Sequence, residues 1–261
     1  MAKPSGHLPG TFCWFELSTT DPGAAVAFYT GLLGWKTRHE EMSGGGTYTM
    51  LRAGGGDVAG LYELSPQLVG EGVPPHWLSY VATEDVDAAT KRAAKLGGTV
   101  VGEPADVPNV ARVSGIMDPS GALFALYQPA GFPGSADVGD VAGRVSWMEL
   151  QTSDPEAAGR FYGGLFDWKQ ETSKSEGVDY TVFSMGSTQV AGMMQIQPGW
   201  GEVPSNWSPY FQVDDCEHAA REAKRLGGTV LVDPRRLPGA GTFAVLEDPQ
   251  GAVFNVLEAP R

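Results

Sequence analysis

The chain states one pattern twice, and any fold it adopts has to serve both statements. WFELSTTDPGAAVAFYTGLLGWK from Trp14 returns as WMELQTSDPEAAGRFYGGLFDWK from Trp147, an offset of 133. The offset is 132 where YTM at Tyr48 meets YTV at Tyr180, and 130 where WLSYVATEDVDAATKRAAKLGGTV at Trp77 meets WSPYFQVDDCEHAAREAKRLGGTV at Trp207. Self-similarity on this scale means one structural plan used twice. The expected domains are 8–130 and 143–259. Between them, 131–142 (GFPGSADVGDVA) has the Gly, Pro and small-residue composition of a linker.

Each copy divides again. Asp21-Pro22 offers an N-cap and a proline suited to the first helical position, and Ala25, Phe28, Tyr29 and Leu32 follow at helical spacing. Asp154-Pro155 with Ala158, Phe161, Tyr162 and Leu165 repeats the pattern. A second helix in each copy runs through Val86, Ala89, Ala93 and Leu96, or Cys216, Ala219, Ala223 and Leu226, and stops at paired glycines. A strand precedes each helix and three short β-runs follow it, so the unit is βαβββ and it occurs four times. Glycine numbers 36 of 261 residues, about twice the usual ~7% share. Tight turns such as Gly44–46 and Gly54–56 are the expected use of that excess.

Charge narrows the partners. Lys and Arg number 18 against 31 Asp and Glu, a net charge of −13. Such a surface repels phosphate backbones and anionic lipid, so neither nucleic acid nor membrane is expected to bind. No apolar leader or spanning run is present, and the two cysteines form no disulfide framework, which together point to a cytoplasmic protein.

The D-P-x-x-A-x-x-F-Y-x-x-L-x-x-W helix and the D-P-x-G-A-x-F segment, each present twice, resemble the vicinal oxygen chelate superfamily of glyoxalases, bleomycin-resistance proteins and extradiol dioxygenases. The tandem form is similar to actinobacterial proteins labelled glyoxalase-like or hydroxylase. The resemblance implies an α+β fold in which four βαβββ modules pair into two curved-sheet cups, helices outside and ligands on the concave faces. It also implies that metal-dependent members carry His, Gln or Glu ligands on cup strands. Those positions fall here on Trp14 and Trp147, Leu78 and Ser208, and Ala125 and Asn255, with Glu63 and Gln195 on the remaining closing strands. Indole, methyl and hydroxymethyl groups do not replace imidazole and carboxylate, so no metal and no other cofactor is expected.

What remains for the cups is an indole beside a carboxylate. Strand alternation puts Trp14 and Glu16 on one face, and Trp147 and Glu149 on its equivalent. An indole stacks on flat rings and cations, and a carboxylate accepts from amines and hydroxyls. The expected partner is therefore a small planar or cationic organic molecule, with Tyr48, Tyr80, Arg112, Tyr180, Tyr210 and Asn255 as further contacts. Two alternatives stand beside binding. One is an enzyme, with displaced metal ligands or with Glu16, Glu149 or His76 as acid or base; the other is a scaffold whose cups are filled by their own side chains. Four modules complete both cups within one chain, so a monomer suffices and a homodimer stays open.

Overall fold

The computed structural model describes residues 7–42, 45–135, 141–175 and 177–260. Gly44, in the first of the expected glycine turns, and residues 136–140 of the expected linker lie outside that set. The first copy runs β1 (Phe12–Thr19), α1 (Pro22–Leu33), β2 (Lys36–Glu41), β3 (Thr47–Ala53), β4 (Gly56–Glu63), α2 (Pro66–Gly70), β5 (His76–Ala82), α3 (Val86–Lys95), β6 (Thr99–Val107), β7 (Ala111–Met117) and β8 (Leu123–Pro129). The second runs β9 (Val145–Thr152), α4 (Pro155–Phe166), β10 (Lys169–Ser175), β11 (Val178–Met185), β12 (Thr188–Gln195), β13 (Asn206–Gln212), α5 (Cys216–Arg225), β14 (Thr229–Leu237), β15 (Gly241–Glu247) and β16 (Val253–Glu258). Apart from the short α2, this is βαβββ four times over.

Two curved eight-stranded sheets result, ordered β2-β3-β4-β1-β5-β8-β7-β6 and β10-β11-β12-β9-β13-β16-β15-β14. The orders are superimposable, as a repeated sequence requires. Each long helix starts where its aspartate caps it: Asp21 Oδ1 accepts from the Ala24 amide at 2.9 Å, and Asp85, Asp154 and Asp215 do the same for their helices at 2.8–2.9 Å. Gly54 and Gly55, both at positive φ, close the β3–β4 hairpin as expected.

The chain also divides into two compact units that cut across the copies. The first gathers the described residues of Met1–Trp14, Ser79–Gly134 and Met148–Trp207; the second gathers those of Phe15–Leu78, Ser135–Trp147 and Ser208–Arg261. Within the first unit, the fully buried Tyr162 ring of α4 packs edge-on to Phe161 and Trp207 and tilts against Phe124 of β8. Within the second, Tyr29 of α1 does the same against Phe28, Trp77 and Phe254 of β16. Aromatic pairs of this geometry add to the burial of area. Glycine has a second use here. A Cβ on Gly164 of α4 would stand 2.8 Å from Leu96 at the end of α3, so its absence lets the two helix surfaces approach.

Candidate functional site

The Glu16 patch spans three strands of the second unit. Glu16 of β1 lies opposite Gly60 of β4 in a parallel pairing, and Tyr62 of β4 lies opposite Ser18. The antiparallel register of β3 on β4 sets Thr49 opposite Leu61, which places Tyr48 alongside Tyr62. From there the Tyr48 hydroxyl reaches across β4 and donates to Glu16 Oε1 at 2.6 Å. Only glycine at position 60 permits this, because a Cβ there would fall 1.8 Å from that hydroxyl oxygen. The Tyr48 and Tyr62 rings are nearly parallel, 13° apart with centroids 6.4 Å from each other. Burial, and then the Glu16 charge, push the Tyr62 phenol above its ordinary range, so it stays a neutral hydroxyl at physiological pH.

The first unit holds the equivalent patch of the second copy. Glu149 of β9 pairs with Gly192 of β12, and Tyr180 of β11 pairs with Met194. Glutamate, glycine and tyrosine are thus kept at matching positions, while methionine takes the place of Tyr62. The surroundings differ in exposure. Glu16 is half-buried, whereas Glu149 is only 5% exposed. The indoles two residues earlier reverse this order: Trp14 is 3% exposed and Trp147 is half-buried.

Trp14 is covered from within the first unit. The Phe132 ring stands edge-on to it at 4.9 Å and 90°, and the Phe132 carbonyl accepts from the Tyr127 hydroxyl at 2.8 Å. Tyr127 in turn meets Tyr80 edge-on at 6.1 Å. Phe132 sits in the segment read from sequence as linker, where nothing in the pattern signals a packing role. Arg112 forks onto Asp87 at 2.7 and 2.9 Å and reaches Asp106 at 2.9 Å. The guanidinium's hydrogen bonds hold the Asp87 carboxyl below its ordinary range. The local role of Arg112 is therefore to tie α3 to β6. In the second unit, Tyr210 tilts against Phe243 at 6.3 Å. The fully buried Asn255 donates from Nδ2 to Ser208 Oγ at 2.7 Å, and its Oδ1 has no hydrogen-bond partner. His76 shares Nδ1 with the Pro74 carbonyl at 2.8 Å, which puts the ring proton on that nitrogen.

Of the expected contacts, Glu16 and Tyr48 are brought together directly, and Trp14, Tyr80 and Arg112 join neighbours of their own unit. Sequence reading missed Gly60 and Tyr62. Alternation along VAGLYEL puts both on the face that Glu16 shares, and that was the available signal. The residues at the superfamily's metal positions do not suit a metal. Ser208 and Asn255 form a neutral hydrogen bond there, Glu63 is exposed, and among the described residues no cluster of three or more His, Cys, Asp or Glu could hold an ion.

Comparison with known proteins agrees with the architecture. Residues 11–126 match the model of the Glyoxalase/Bleomycin resistance protein/Dioxygenase superfamily, and 147–257 match that of a glyoxalase-like domain. A Mycobacterium tuberculosis protein named "Putative glyoxylase CFP32" is 38% identical over the full length of both chains. The anthracycline biosynthesis protein DnrV of Streptomyces peucetius is 36% identical over 96% of this chain and 94% of its own. Among solved structures, the Mn(II)-bound glyoxalase of Novosphingobium aromaticivorans superposes with a TM-score of 0.68 at 18% identity, covering 96% of this chain and 82% of that one. The chain therefore belongs to the glyoxalase/bleomycin-resistance/dioxygenase superfamily, whose domain it carries twice in tandem.

Proposed function

We propose that this protein binds a small planar organic molecule without a metal, using the Glu–Tyr patch that each copy carries. The observation behind this reading is the Glu16–Tyr48 hydrogen bond over Gly60, whose three residue types recur as Glu149, Tyr180 and Gly192 although flanking residues have changed. A carboxylate fixed by a phenol and bordered by aromatic rings presents an acceptor beside flat apolar surface, which suits a ring system with a donor at its edge. The name of the Streptomyces peucetius relative supports this, since anthracyclines are fused planar rings. A metal-dependent reaction, as the Mn(II)-bound neighbour suggests, would need donors that these positions do not supply.

Calorimetric titration of protein dialysed against a chelator, with a hydroxyanthraquinone as probe, tests the reading. Binding that persists in the chelator supports it. Binding that appears only after Mn²⁺, Ni²⁺ or Zn²⁺ is restored would overturn it.

A further inference from the structure

The last strand of the second copy carries a buried amide. Asn255 of β16 lies opposite Tyr210 of β13, and its Nδ2 donates to Ser208 Oγ at 2.7 Å and to the Pro209 carbonyl at 3.3 Å. A carbonyl oxygen only accepts, so the amino group has to face Pro209 and Oδ1 points the other way. Asn255 is 0% exposed, and its Oδ1 has no hydrogen-bond partner among the described residues. We propose that Asn255 Oδ1 is the recognition point for a small ring compound that presents a neutral hydrogen-bond donor, a phenolic hydroxyl or an amide N–H.

Three observations lead there. The sheet does not need an amide at this place, because the first copy has Leu78 for Ser208 and Ala125 for Asn255, and Ala125 pairs with Tyr80 as Asn255 pairs with Tyr210. A desolvated acceptor without a donor is worse for stability than an apolar group of similar shape, and a donor from outside the chain would satisfy it. The face around it is apolar. The register of β15 on β16 sets Val245 opposite Asn255 and Phe243 opposite Leu257, and Tyr210 tilts against Phe243. Phe243, Val245 and Leu257 are only half-buried, so apolar surface leads from solvent to the amide, and a ring enters by displacing these side chains. The third observation is the absence of charge on the acceptor. An anion would meet the negative end of the carbonyl dipole, and a cation would leave water for one neutral oxygen. The residues of this site all belong to the second unit, and none is part of the Glu–Tyr patch.

The chain contains three asparagines, Asn109, Asn206 and Asn255, so isotope labelling confined to asparagine gives three side-chain amide signals for NMR to follow. The Asn255 signal is identified by elimination through Asn109→Gly and Asn206→Ser. The probes are 2-naphthol, 2-methylnaphthalene, which has nearly the same shape without the donor, and the anion 2-naphthoate, each titrated into the full chain at neutral pH. The Asn255 signal should move on addition of 2-naphthol, and 2-naphthoate at the same concentrations should leave it in place. By calorimetry, the preference for 2-naphthol over 2-methylnaphthalene should fall about fivefold in Ser208→Leu/Asn255→Ala, the pair that the first copy carries. An Asn255 signal indifferent to 2-naphthol overturns the proposal and leaves the amide an internal water as its only partner. A preference that survives in the folded double variant also overturns it, and a response to 2-naphthoate equal to that of 2-naphthol overturns the choice of a neutral donor. Circular dichroism shows whether the double variant is folded, and the NMR titration does not depend on it. The Glu–Tyr reading stands or falls separately, by titration in chelator.

Discussion

The Tyr162 hydroxyl donates to Asp118 Oδ2 at 3.0 Å, joining a helix of the second copy to a turn of the first inside one compact unit. The same oxygen accepts from Trp207 Nε1 at 2.7 Å, and Asp118 Oδ1 accepts the amides of Ser120 and Ala122. Tyr29, Asp248 and Trp77 repeat the arrangement in the other unit. Tyr162→Phe removes one buried hydroxyl and strands two partners. A loss of about 1–3 kcal/mol per stranded group follows, with part recovered by relaxation. Urea denaturation should show Tyr162→Phe and Tyr29→Phe destabilising to similar extents, because the two networks match. A midpoint unchanged in both would contradict the roles given to these bonds.

This cross-copy network marks where sequence reading stops. Cap aspartates, helical spacing and turn glycines act over a few residues, so the four βαβββ units could be read from the chain, as could the helical placement of Tyr29 and Tyr162. Nothing local to Tyr162 says that its partner is Asp118, 44 residues away. At the patch, Glu16 stood out as a polar residue in an apolar strand. Gly60 did not, because its role depends on the registers of β1 on β4 and β3 on β4 together. Nor does alternation distinguish a buried Glu149 from a half-buried Glu16, since exposure is set by packing from distant segments.

Gly60→Ala tests that register argument. A methyl group cannot coexist with the Tyr48 hydroxyl at 1.8 Å, so the ring must swing away and release Glu16 Oε1. Overpacking of this kind costs about 1–3 kcal/mol. Stability should drop within that range, and binding of a planar probe should weaken. The double variant Gly60→Ala/Tyr48→Phe should lose less stability than the two single effects added, because Gly60→Ala, by displacing the ring, already breaks the bond that Tyr48→Phe removes. Additive losses would show that Tyr48 does not lie over Gly60.

Acid titration should reveal two aspartates with opposite slopes. Burial above all raises the Asp248 carboxyl over its ordinary value of 3.8, against the pull of backbone amides and the Tyr29 hydroxyl. The folded state then holds this proton more tightly than the unfolded chain. Its contribution is complete below the ordinary value and is lost as pH rises through the raised one. Asp87 behaves inversely: hydrogen bonds from Arg112 lower it, so its contribution is present above 3.8 and is lost as pH falls through the lowered value. Relative to wild type, Asp248→Asn should gain stability as pH climbs above the ordinary aspartate range. Asp87→Asn should carry a penalty at neutral pH that fades in acid. Denaturation series at stepped pH read both slopes, and parallel curves would contradict the linkage.

Comparison of the two copies also locates a correctable strain. The C-cap of α1 is Gly34 at φ 65° and ψ 19°, whereas the matching cap of α4 is Asp167 at φ 58° and ψ 28°. A side chain in the left-handed region crowds its own carbonyl, and glycine does not. The Asp167 carboxylate reaches Arg92 only at 3.5 Å, with both groups largely exposed, so its removal forfeits little. Asp167→Gly should therefore stabilise the protein, by about 0.5 kcal/mol after the greater freedom of glycine in the unfolded chain is counted. That corresponds to a rise of about 1–2 °C in melting temperature for a chain of this size. Gly34→Asp, the reciprocal change, should destabilise by a comparable amount, and Arg92→Ala should do almost nothing. If Asp167→Gly lowered the melting temperature by as much as Arg92→Ala does, the ion pair and not the backbone would be what matters at this cap.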